Sequence, residues 1–238
     1  MSLLTIAQDV VDEIGLVRPS ALVGEVGLTE RRLLAAAKAE GEHLYRAHDW
    51  SILQKEHVFT TEADDDNYAV PEDFGRLITE TVWDREAYRK MRGSLSPQQW
   101  QFQRSALVSN TALRRRFRIV VGQQAGSVLI DPVPTAADEE LVYEYVSKFW
   151  CSSSAGTAKA TWSVDSDLFL IDDELFRAGL LWRMKRSLGQ VYADERADAE
   201  DLLRKAIVAD LALPVMNLNP PHVPWPQGLV PEGDWPSA

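Results

Sequence analysis

The hydrophobic period of this chain changes twice, and that change excludes a fold built from one kind of element. Leu3, Ile6, Val10 and Ile14 recur at helical spacing and predict a helix over about Leu3 to Ile14. Asp9, Asp12 and Glu13 lie off that stripe, and Gly15 is a natural stop. The stretch from Leu16 to Leu28 holds Pro19, Gly24 and Gly27 and reads as a loop. Thr29 is placed to cap a longer helix ending near His48. Its narrow face, Leu33, Ala37, Gly41 and Leu44, includes small residues that let another helix approach closely.

After Trp50 the period becomes two. Ile52 to Thr61 is rich in β-branched and aromatic residues and predicts a strand, followed by a turn over Ala63 to Asn67. Arg76 to Trp83 alternates as a second strand. Ser96, Pro97 and Gln99 form a capping box that opens a short helix anchored by Trp100. Arg116 to Val121 and Ser127 to Ile130 flank a glycine-bounded hairpin turn, and Glu140 to Val146 is the fifth strand. Asp131-Pro132-Val133-Pro134 cannot sit inside a sheet. Helical spacing returns at Asp172 or Asp173 and continues to about Leu188. A second helix follows from about Asp194 to Leu213, with Gly189 and Tyr192 at the bend.

The last segment differs again. Seven of the chain's twelve prolines lie between Pro214 and Pro236, a density that no helix or inner strand tolerates. The segment also carries Val215, Leu218, Val223, Trp225, Leu229, Val230 and Trp235, whereas solvated linkers rarely include two tryptophans. It reads as an extended strap lying on a surface, either that of its own domain or that of another protein.

The expected fold class is therefore α+β: a helical bundle from both ends of the chain, an inserted β-rich unit and an extended tail. In residues, 1–50 and 161–213 make the bundle, 51–160 the β unit and 214–238 the tail. A chain of 238 residues with 45% hydrophobic and 26% charged residues needs no covalent staples to hold a core. Cys151 is the one cysteine, so no disulfide forms within the chain, which fits a reducing compartment. The first fifteen residues lack a basic segment and do not read as a signal peptide. No apolar run reaches the ~20 residues of a membrane helix.

The formal charge of −11 argues against a protein that grips nucleic acid by its phosphates. Nucleotide-binding fingerprints, H-E-x-x-H and G-x-S-x-G are all absent. His43 and His48 are five residues apart and do not share a helix face, His57 and His222 are isolated, and Cys151 has no C-x-x-C partner. Asp165-Ser166-Asp167 invites a calcium reading, but the position that a calcium loop reserves for glycine is Leu170. These observations favour no catalytic residues, no metal and no cofactor. The one basic cluster, Arg114, Arg115, Arg116 and Arg118, reads as charge on an edge strand, or as a contact with a neighbouring subunit, a tail component or nucleic acid. Arg183, Lys185 and Arg186 sit late in a helix, where positive charge suits the dipole.

One string carries a family resemblance: Tyr68-Ala69-Val70-Pro71-Glu72-Asp73-Phe74-Gly75-Arg76, then Trp83-Asp84, Gly93, Leu95 and Gln99-Trp100. It continues through Phe117-Arg118-Ile119, Asp131-Pro132-Val133-Pro134, Leu141 to Tyr145 and Trp150. In order and spacing these resemble the bacteriophage head-to-tail connector adaptors, including those named tail tubular protein A. The likeness spans about residues 3 to 212. Val70 stands where that family more often has Leu, and the tail matches no family position, so the short-tailed and long-tailed subclasses both stay open.

The resemblance implies a ring, commonly of twelve copies, bound beneath the phage portal protein in the virion and assembled in the host cytoplasm. It implies a helical part facing the portal, a β part facing a downstream tail or nozzle protein, no cofactor, and DNA passing through the channel without specific binding. Tyr68, Pro71, Asp73, Phe74, Arg76, Trp83 and Trp100 would then be structural. Leu203, Ile207, Leu211, Pro214, Leu218, Pro220, Pro221, Trp225 and Trp235, on the last helix and tail, are the candidates for portal docking. The alternatives are another phage tail-binding module, or a cell-wall hydrolase that would need two carboxylates in one cleft.

Overall fold

The structure is a computed structural model that describes residues 1–105, 115–122 and 126–211. Four helices form the bundle. In α1 (Leu3–Ile14) the Ser2 hydroxyl accepts from the Thr5 amide at 3.2 Å. Gly15 ends the helix at φ 77°, a left-handed conformation that suits glycine, and the Gly15 and Leu16 amides bond back to Asp12 and Val11. Helix α2 (Leu28–Ala47) starts two residues earlier than expected: extended Gly27 is the cap, and Thr29 lies in the first turn rather than capping it.

The middle segment is more divided than its sequence predicts. A single 3-10 turn, Ser51–Leu53, precedes strand β1 (Gln54–Thr60). A short strand, β2 (Asn67–Ala69), occupies the end of the expected turn. The expected strand from Arg76 to Trp83 is broken into β3 (Phe74–Leu77) and β4 (Trp83–Asp84), and β5 (Arg89–Lys90) pairs with β4. The capping box of α3 (Pro97–Ser105) forms in both directions. Gln99 N donates to Ser96 Oγ at 3.2 Å, and Gln99 Oε1 accepts from Ser96 N at 3.0 Å. Trp100 is buried.

Strands β6 (Arg116–Val121), β7 (Gly126–Asp131) and β8 (Glu140–Ser147) follow. Strand β8 is the spine of an antiparallel sheet, with β1 on one side and β3 and β4 on the other. A second antiparallel sheet has the order β2-β7-β6. Residues of both sheets share one apolar cluster that includes Tyr68, Phe74, Phe117, Ile130, Leu141 and Tyr143. Glu144 is the one exposed residue of β8. Burial of both faces explains why this strand reads as nearly continuous apolar sequence.

Beyond β8, three two-residue strands, β9 (Cys151–Ser152), β10 (Ala158–Lys159) and β11 (Leu168–Phe169), form a small sheet against the bundle. Asp172 then caps α4 (Asp173–Ser187) by accepting from Leu175 N at 2.8 Å. Helix α4 is the hub of the bundle and touches α1, α2 and α5 (Ala193–Asp210), which accounts for its high apolar content. Phe176 and Leu180 are fully buried, each worth about 1.5–3 kcal/mol of transfer free energy. The bundle core also takes Leu53, Val146, Trp150 and Cys151 from the segment expected as one β unit, so 51–160 serves two cores. Helix α5 stops at Asp210, short of the expected Leu213, because Leu211 is extended at φ −68° and ψ 112°.

Candidate functional site

The end of α5 is tied to the junction between α2 and β1. Asp210 Oδ2 accepts from Ser51 N at 3.0 Å and lies 3.0 Å from His48 Nε2, and Asp210 Oδ1 accepts from Ser51 Oγ at 2.5 Å. Burial of Asp210 opposes its charge, but the Ser51 hydroxyl, the Ser51 amide and His48 outweigh it and hold the carboxyl below its ordinary value. Leu211 leaves this clamp 52% exposed, and Val208 is 58% and Ile52 59% exposed. Three exposed apolar residues are therefore neighbours in sequence of the clamp residues Ser51 and Asp210.

The docking candidates named from sequence divide accordingly. Leu203 and Ile207 pack against the bundle core, so these two side chains are engaged within the fold. Leu211 is one of the three exposed residues. Pro214, Leu218, Pro220, Pro221, Trp225 and Trp235 lie outside the described residues.

The basic cluster divides as well. Arg114 lies outside the described residues. Arg115 sits between Glu139 and Asp84, with its Nη1 3.2 Å from Asp84 Oδ2. That contact has ion-pair distance without hydrogen-bond alignment, since the same nitrogen makes no hydrogen bond. Arg116 lies 3.6 Å from Asp131. Arg118 makes no ion pair among the described residues. Strand β6 is an edge of its sheet, but segment 92–95 covers part of that edge through bonds such as Phe117 N to Arg92 O at 3.0 Å.

The motif residues hold the β unit together and fasten it to the bundle. Tyr68 Oη accepts from Glu62 N at 3.1 Å and donates to Asp65 O at 2.8 Å. The turn that begins at Pro71 closes with Phe74 N on Pro71 O at 3.0 Å. Asp73 gathers three donors: Lys55 Nζ at 2.7 Å, Tyr145 Oη at 2.8 Å and Ser147 Oγ at 2.9 Å. Burial pushes Asp73 up, yet these donors bring its pKa below the ordinary carboxylate value. Phe74 stacks on Tyr145. Arg76 reaches the C-terminal end of α2, where it donates to Tyr45 O at 3.2 Å and His48 O at 2.7 Å and pairs with Asp49 at 2.5 Å. It thereby satisfies carbonyls that a helix end leaves without partners. Trp83 is partly exposed on β4.

Sequence reasoning missed a buried acid. Glu40 lies on the apolar stripe of α2, between Ala37 and Leu44, and is 2% exposed. Its carboxylate pairs with Arg183 of α4 and lies 3.5 Å from His43. A Cβ on Gly179 would stand 2.1 Å from this carboxylate, so glycine makes room for it. Arg183 is thus explained by this pair rather than by the helix dipole, and Lys185 pairs with Glu195 of α5. A carboxylate interrupting an apolar stripe was the available signal. A cleft of about 250 Å³ between α2, α4 and α5 is walled by Glu40, Arg183, Trp182, Arg196 and Glu200. Arg196 pairs with Glu200 at 2.8 Å, so both carboxylates of the cleft are neutralised by neighbouring guanidinium groups.

Other reactive-looking groups are likewise engaged. Asp165 accepts from Leu22 N and Val23 N, the latter at 2.8 Å. Asp167 accepts from Lys159, Ser163 N and Val164 N. Cys151 is buried, and burial pushes its thiol up to about 12. Among the described residues there is no group of three or more metal-ligating side chains, and no helix is long and apolar enough to cross a membrane.

The fold is α+β, and its charged clusters fasten one element to another. The sequence matches the SU10 adaptor protein family over residues 1–219, and the chain belongs to that family. It is a phage structural adaptor, a virion component that joins other head and tail parts. No curated protein matches the sequence.

Proposed function

We propose that this adaptor forms a closed ring beneath the phage portal, continues the DNA channel and joins it to a downstream tail or nozzle protein. The reading extends the resemblance to tail tubular protein A, which also suggests twelve copies. The observation that carries it is the clamp at Asp210. It fixes the end of α5 against Ser51, and Ile52, Val208 and Leu211, neighbours in sequence of the clamp residues, are exposed. On this reading these three residues and the tail, with Pro214, Leu218, Pro220, Pro221, Trp225 and Trp235, engage the portal, and Arg118 contacts a neighbouring subunit or the tail. The charge of −11 keeps the channel wall from gripping DNA, which passes without specific binding. The protein acts in the virion and is assembled in the host cytoplasm.

The test is co-sedimentation of purified portal with the full chain and with a chain ending at Leu213. Portal binding by the full chain alone, with unchanged circular dichroism for both, is expected. Equal binding by both chains removes the tail from the mechanism.

A further inference from the structure

Among the described residues, strand β1 has an open outer edge. The amides of Ile78 and Arg85 bond to Glu144 O and Glu140 O, so even-numbered residues of β8 face β3 and β4. Odd-numbered residues of β8 therefore face β1, in register with Lys55, His57 and Phe59, and Thr61 N on Glu139 O continues the same parity. Glu56, Val58 and Thr60 then turn their backbone N–H and C=O groups outward. Among the described residues, nothing bonds to those groups. Gln54 differs, because its amide closes the 3-10 turn on Ser51 O. Charge guards the first half of this edge with Lys55 and Glu56, while the second half carries Val58, 41% exposed.

The chain contains a segment suited to that edge. In Val223-Pro224-Trp225-Pro226-Gln227 the prolines alternate. A strand with this pattern keeps every N–H on one side, at Val223, Trp225 and Gln227, and has none on the other. It can pair with one edge and offers no donor for further pairing. Val223 and Trp225 each precede a proline, which biases both to extended backbone. The starting point also fits. Asp210 holds the end of α5 on Ser51, three residues before β1 begins. Residues 212–222 span up to ~36 Å at ~3.3 Å each, more than the ~23 Å length of β1.

We infer that residues 223–227 add to the outer edge of β1 as a terminating strand, pairing with Glu56, Val58 and Thr60. This goes beyond portal docking and does not rest on it.

The test is residue-resolved amide hydrogen exchange on the full chain, compared with Trp225→Pro, which removes the central donor, and Trp225→Phe, which keeps it. The outward amides of Glu56, Val58 and Thr60 are expected to exchange about tenfold slower in the parent and in Trp225→Phe than in Trp225→Pro. The amides of Lys55, His57 and Phe59 face β8 and report in the same molecules that the sheet is intact. Val58→Pro, which removes an outward donor and leaves the ladder to β8, is expected to deprotect Glu56 and Thr60 in the same way. Protection that rises with protein concentration places the strand on a neighbouring copy, and constant protection places it on its own chain; both uphold the inference. Outward amides that exchange equally fast in the parent and in Trp225→Pro overturn it.

Discussion

The Asp210 carboxylate accepts from both the backbone amide and the hydroxyl of Ser51, so the last described helix ends where the first strand begins. The two ends of the bundle are therefore closed by one side chain. Asp210→Ala removes these acceptors and leaves the Ser51 donors unpaired. A loss of about 1–3 kcal/mol is expected in urea unfolding at pH 7. A change below about 0.5 kcal/mol would show that solvent replaces the clamp.

Acid is expected to weaken the protein through the same kind of group. Asp73, Asp167 and Asp210 are each held below the ordinary carboxylate value, because hydrogen bonds to the charged form outweigh the cost of burial. A depressed folded pKa contributes stability that is fully present above the unfolded value, about 3.9, and is lost as pH falls through the folded value. Urea midpoints measured from pH 7 downwards should fall steeply below about pH 4. The Asp73→Asn variant should show a shallower fall from a lower starting point.

Gly41 and Gly179 oppose helix propensity to gain contact. A Cβ at Gly41 would stand 2.4 Å from the Trp150 ring, and one at Gly179 would stand 2.1 Å from Glu40. Alanine favours a helix interior by about 1 kcal/mol over glycine, whereas overpacking a tight core costs about 1–3 kcal/mol. Gly41→Ala is expected to destabilise, since an indole wedged in a core cannot withdraw as a flexible side chain can. A rise in melting temperature would contradict this packing.

Arg76 joins the β unit to the end of α2 by planar, multi-donor contacts that lysine cannot reproduce. Arg76→Lys keeps the charge yet is expected to lose most of the stability that Arg76→Ala loses, about 1–3 kcal/mol. Full retention by lysine would reduce the contact to simple charge.

Cys151 is buried with its thiol pushed up to about 12, so the reactive thiolate is scarce and shielded. Labelling by a thiol reagent should be negligible in native buffer and become complete in urea, following the unfolding curve.

Local signals were legible where a residue and its partner are close in sequence. The α1 stripe, the Gly15 stop, the Ser96–Gln99 box and the Asp172 cap all appear as read. Strands of two or three residues carry no period, and β2, β4 and β9 exist because β7, β8 and their neighbours pair with them. The fate of the basic cluster was hidden for the same reason: the partners of Arg115 and Arg116 are Asp84, Glu139 and Asp131, brought together only by the sheets. Leu203 and Ile207 looked available because an apolar helix face does not reveal whether its cover comes from the same chain. The pairing of Glu40 with Arg183 spans α2 and α4 and needed the bundle to exist first.

The proposal that this adaptor assembles as a ring against a portal predicts a fixed stoichiometry. Native mass measurement of the purified protein, alone and mixed with its portal, tests it most directly. The expected result is a discrete species in the mixture with a fixed multiple of the 26.7 kDa chain bound per portal ring, matching the portal's symmetry. A chain that stays unassociated with the portal across concentrations, or binds without a fixed number, would contradict the claim.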